Sequence, residues 1–115
     1  MSAAARALAG TLLAGAVLLG PLALQPSGEI WSGWAPADCR EYCEGSHRCG
    51  PPAERPASQQ PANTVSNLAY LFVGLLVGLR RRDLVGAVFA VAMELLCVGS
   101  GWFHASVTRE GQWLD

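Results

Sequence analysis

The sequence predicts an all-α integral membrane protein, a bundle of transmembrane helices. Three observations carry this. Apolar runs at about 5–24, 63–80 and 84–104 are separated by polar segments. Charged residues make up 15% of the chain, against about 25% in soluble domains, and the mean hydropathy is +0.28. Three consecutive arginines, Arg80-Arg81-Arg82, fill the short break between the second and third runs, which is the mark of a cytoplasmic loop. A net charge of −1 gives no reason to expect a nucleic-acid partner.

Residues 7–24 form an uncharged run of eighteen preceded by Arg6. A spanning helix needs roughly 20 residues, so two readings stand: an N-terminal transmembrane helix, or a secretory signal peptide. The apolar core is long for a signal peptide and no clean small-x-small cleavage site follows, which favours the helix. Either one sends the next segment out of the cytoplasm.

Residues 25–62 are that segment, an extracytoplasmic loop rich in Cys and Pro with no persistent helical or strand period. Cys39, Cys43 and Cys49 match no standard zinc-knuckle spacing, so one disulfide with a spare thiol is favoured over metal ligation. Glu41 and Glu44 place two carboxylates close together. They read either as solvated loop acids or as a site for a hard cation such as calcium, which takes oxygen ligands.

The second run opens polar, with Pro61 before it and Asn63 or Thr64 as the expected cap. Gly74 and Gly78 form a small-xxx-small pair that lets another helix approach. The third run is interrupted only by Glu94 and Ser100, and Gly86 with Ala90 offers a second close-packing pair. Ser100 and His104 are four residues apart, hence one turn apart on one helix face. Lipid cannot satisfy such a pair, so it must face protein, metal or water. Thr108 to Gly111 reads as a turn, and Gln112 to Asp115 as the first turn of another helix. A chain that stops there is expected to be part of a longer protein.

With the arginine loop inside, residues 25–62 and the His104–Asp115 end fall on the same outer side. All the polar features then converge at one end of the bundle.

Asn63-Thr64-Val65-Ser66-Asn67-Leu68, then Gly99-Ser100-x-x-Phe103-His104, then Gln112-x-Leu114-Asp115, resemble the alkaline ceramidase family. That family belongs to a wider group of seven-helix membrane proteins that includes the adiponectin-receptor-like proteins. The resemblance runs from about Glu41 to Asp115 and implies a zinc hydrolase of seven or eight helices. Residues 63–115 would then be the N-terminal part of the ceramidase-like domain. It implies His104 as one zinc ligand, Asp115 as the base on zinc-bound water, and Ser100 as support for the site and for the oxyanion. It also implies a calcium site at Glu41, Glu44 and Asn63. Gln60 stands where animal members have Glu, which lowers the ligand charge, and Ser46 stands where they have Asn.

The chemistry is coherent. Zinc brings the pKa of bound water to about 7, a carboxylate in reach serves as base, and a hydroxyl aimed at a developing oxyanion lowers the barrier. The family's remaining ligands come from a His-x-x-x-His motif, whereas the only other histidine here is His47. The chain alone is therefore expected to be inactive. The expected substrate is ceramide or another N-acyl lipid, met in a bacterial inner membrane with the site toward the extracytoplasmic face. The alternatives are a non-catalytic lipid-binding or receptor-like protein of the same fold, and a small structural helical protein.

Overall fold

A computed structural model describes residues 1–25, 27–37 and 51–115. Of these, 76% are helical and none is in a strand. Three helices, Ala3–Leu24, Pro61–Arg80 and Leu84–Ser106, are long and apolar enough to cross a bilayer.

Helix α1 (Ala3–Leu24) begins two residues before the apolar pattern suggests, because Ser2 caps it: its Oγ accepts from Ala5 N at 3.2 Å. The helix lies along α3. A Cβ on Gly10 would sit 3.1 Å from a methyl of Leu75, and one on Gly15 would sit 3.1 Å from a methyl of Leu68. Thr11, buried, donates its hydroxyl to Ala7 O at 2.8 Å, so this contact face holds no orphaned polar atom.

The second span starts at Pro61, earlier than the expected Asn63. Proline lacks an N–H that the first turn would leave unbonded anyway, and its φ is already helical. Gln60, not Asn63 or Thr64, is therefore the N-cap. The span is broken into α2 (Pro61–Ser66) and α3 (Leu68–Arg80) at Asn67. There the Asn67 side chain donates to Asn63 O at 2.8 Å, taking the carbonyl that its own backbone N–H would otherwise bind. The next bond, Tyr70 N to Asn67 O, is tighter than an α-helical one, three residues apart.

Helix α4 (Leu84–Ser106) returns antiparallel to α3. Asp83 caps it through Gly86 N at 2.7 Å. Gly74 and Gly78 sit at the crossing: a Cβ on Gly74 would be 2.8 Å from Met93 Cβ and 3.1 Å from Ala90 O, and one on Gly78 would be 3.0 Å from Ala90 Cβ. Lipid tails are as apolar as leucine, so such backbone approach, rather than hydrophobic burial, is what pairs helices in a bilayer. Gly86 plays another part, since its Cα is covered by the Arg81 carbonyl within the connecting turn.

Much of each span is uncovered. Leu12, Leu13 and Val17 on α1, and Val85, Val88 and Leu95 on α4, are exposed. Apolar faces of this extent suit lipid or further helices and not water.

Candidate functional site

The last turn of any α-helix leaves carbonyl groups unbonded. At the end of α4 all four are taken. Phe103 O accepts from Val107 N at 2.7 Å, His104 O from Gln60 N at 3.0 Å, and Ala105 O from Gln59 N at 2.9 Å. Ser106 O accepts from the Arg55 guanidinium at 3.2 Å. The segment 55–60, read from sequence only as loop, thus clamps the end of the helix that carries Ser100 and His104. Arg55, Gln59 and Gln60 are buried by it, and burial draws the Arg55 pKa below its ordinary value.

The rest of the loop is tied to the same end. Trp31, buried, donates Nε1–H to Ala57 O at 2.8 Å. Ala37 N donates to Val107 O at 3.1 Å, and Arg109 N to Ala35 O at 2.8 Å. Ala35 N donates to the Glu110 carboxylate at 2.9 Å. Residues 25–62 and the His104 end therefore meet at one end of the bundle, through their described parts.

Val107 ends α4 in the left-handed region, at φ 45°. This reverses the chain into α5 (Arg109–Leu114), which runs back along α4. The expected turn at 108–111 is corrected here. Thr108 is the N-cap, accepting from Gly111 N at 3.1 Å, and residues 109–111 already form the first helical turn. The reversal itself lies one residue earlier. A β-branched residue at positive φ left no sequence signal for it.

Two glycines admit α5. A Cβ on Gly111 would be 2.7 Å from Ser106 Oγ and 3.0 Å from Phe103 Cα, and one on Gly99 would overlap the carbonyl of Leu114. The Gly99 Cβ would also lie 3.7 Å from Asp115 N. The fold-back thus brings the Asp115 backbone against the turn that holds Ser100. Ser100 is buried, His104 is half-buried one turn beyond it, and Asp115 is exposed.

Among the described residues the His104 ring has one hydrogen-bond partner. Its Nδ1 lies 2.6 Å from Gln60 Oε1, and Asn63 Nδ2 donates to that same oxygen at 3.1 Å. The zinc candidate His104 and the calcium candidate Asn63 are therefore joined through Gln60. Glu41 and Glu44, the other calcium candidates, lie outside the described residues, as do His47, Cys39, Cys43 and Cys49.

Glu94 is half-buried and lines a cavity of about 520 Å³ between α1, α3 and α4, together with Leu13, Leu71, Leu75 and Cys97.

Among the described residues no three of His, Cys, Asp and Glu converge as a metal-ligand set. A catalytic zinc takes three protein ligands and a water. The described residues offer one imidazole with its Nδ1 already engaged, which suits a single ligand and does not by itself make a zinc centre. No protein-family model, no curated protein and no solved structure matches the chain.

Proposed function

We propose that this chain contributes part of the active site of a ceramidase-like membrane hydrolase, one that cleaves the amide bond of ceramide or another N-acyl lipid with zinc-activated water. The observation that carries the reading is the return of α5 along α4. It sets the Asp115 backbone beside Gly99, in the turn that carries Ser100, at the end where the polar loop packs. In this reading His104 is one zinc ligand through Nε2, Asp115 is the base for the zinc-bound water, and Ser100 supports the oxyanion. Glu41, Glu44 and Asn63 would hold calcium. The reading needs two further zinc ligands, which the described residues do not bring to His104. The site would open toward the extracytoplasmic face of a bacterial inner membrane, where an N-acyl lipid presents its amide near the headgroup.

The test uses the intact gene product in detergent or nanodiscs. Zinc content is measured by mass spectrometry, and amine release is followed from a fluorescent N-acyl sphingosine. Bound zinc and turnover, both lost in His104→Ala, are expected. Zinc retained by His104→Ala, or turnover without any metal, would overturn the assignment.

A second reading, a lipid-binding protein without turnover, is supported by the apolar cavity of about 520 Å³ between α1, α3 and α4. Saturable binding of the same N-acyl lipid with no amine released would favour it.

A further inference from the structure

We propose that Gln60 is a positioning residue for His104: it holds the imidazole proton on Nδ1 and so leaves Nε2 as the nitrogen with the free lone pair. Its functional meaning rests on the reading of His104 as a metal ligand, but the tautomer is a property of this chain alone.

Gln60 grips His104 at two points. Its backbone N–H bonds His104 O at 3.0 Å, and its side-chain Oε1 lies 2.6 Å from His104 Nδ1. The grip is rigid. Gln60 is 1% exposed, is followed by Pro61, and its own carbonyl accepts from both Thr64 N and Thr64 Oγ1 at 2.8 Å.

A carboxamide oxygen can only accept, so the ring nitrogen facing it must be the donor. The amide orientation follows from its second contact. Asn63 Nδ2 donates to Oε1 at 3.1 Å, and with Asn63 held as it is, turning the Gln60 amide over would set its NH₂ against that NH₂. The Gln60 Nε2 is buried with no hydrogen-bond partner among the described residues, a cost that this orientation carries.

A neutral imidazole carries one N–H; with that proton on Nδ1, Nε2 is left as the acceptor. No described residue bonds to Nε2. Metal-bound histidines almost always donate their other N–H to a carboxylate or carbonyl, which fixes the ring and the tautomer. A neutral carboxamide does this without placing a second charge beside the ring.

The test is ¹⁵N spectroscopy of the ring nitrogens in this chain, metal-free and in micelles, with the His104 signals identified by their loss in His104→Gln. It is run above the ordinary imidazole pKa of about 6.5. Wild type is expected to show a protonated, pyrrole-type Nδ1 and a pyridine-type Nε2. Gln60→Met keeps the chain length but removes the acceptor, and is expected to shift the proton mainly to Nε2.

A wild-type ring protonated at Nε2 would overturn the proposal outright. A Gln60→Met spectrum identical to wild type would overturn the role of Gln60. If Gln60→Met does not fold, Gln60→Asn, which withdraws the amide by one methylene, gives the same readout.

In the intact protein, Gln60→Met is expected to weaken zinc by about 10- to 100-fold, as for loss of other partners that orient a ligand. If the intact protein holds no zinc at all, the ligand reading fails while the tautomer result stands. If zinc is held and the wild-type tautomer is reversed, the positioning role fails while the ligand reading stands.

Discussion

The carbonyl of Leu114 rests directly on the Cα of Gly99, closer than any side chain at position 99 would permit. This contact decides where Asp115 lies. Gly99→Ala must push α5 away from α4, at a cost of about 1–3 kcal/mol for overpacking. Hydrogen exchange reads this at the amides of Gln112 and Asp115, which bond Thr108 O and Gly111 O in the native helix. Their protection is expected to fall while that of residues within α3 stays unchanged. Unaltered protection would mean that α5 does not depend on this contact.

Thr108 does two things in the same reversal. It accepts from Gly111 N at 3.1 Å and lies 2.8 Å from Ser106 Oγ. Thr108→Val keeps the shape and removes both bonds. The cost is expected to be about 1 kcal/mol, within the usual range of about 0.5–2 for a lost cap. Thr108→Ser should recover most of it. A Val variant as stable as wild type in thermal unfolding would contradict the capping role.

Arg55 secures the last carbonyl of α4 from a buried position. Arg55→Met keeps much of the side-chain volume and deletes the charged donor. A hydrogen bond from a charged group contributes about 1.5–3 kcal/mol, so a loss of that order is expected. Frayed exchange at Ser106 and Val107 would accompany it, without loss of the α3–α4 hairpin. Denaturation midpoints within error of wild type would show that Ser106 O finds another partner.

At the opposite end of the bundle, Asp83 joins the α3–α4 turn to the start of α4. The Arg81 guanidinium at 2.8 Å, and then the Gly86 N–H, hold its carboxyl below the ordinary value. The ordinary value is about 3.9. Because the folded pKa is the lower one, the contribution is fully present above that ordinary value and is lost as pH falls through the folded pKa. Both partners are half exposed, so the effect is small. A ¹³C carboxyl titration is expected to place the Asp83 midpoint below 3.9, and Arg81→Gln to move it back up. A midpoint at or above the ordinary value would refute the pairing.

The three spans were legible because membrane helices need long uncharged runs, and such runs leave a plain mark in sequence. The second span starts two residues before its polar opening suggests. Asn63 and Thr64 are good caps in isolation, but Pro61 already has helical geometry and Gln60 is held against α4. The Ser100–His104 spacing placed both on α4 correctly, one turn apart. What the spacing could not show was that Gln60, forty-four positions earlier, contacts His104. A glutamine beside a proline carries no periodicity, and its partner is remote in sequence. The turn at Val107 was equally hidden, since valine is among the last residues expected in the left-handed region.

The sequence by itself determined which runs are long and apolar enough to cross a membrane and which polar segments join them. Those are local properties: hydropathy, helix propensity and the position of charge act over one or two turns of chain. Only the tertiary structure decided how the end of α4 is closed. Four carbonyl groups there had to find donors, and the chain supplied them from Arg55, Gln59, Gln60 and Val107. It also decided that α5 turns back, because Gly99 and Gly111 leave room that no local preference announces. Backbone hydrogen bonding must be satisfied wherever water is excluded, but which distant residue satisfies it depends on the packing of the whole chain.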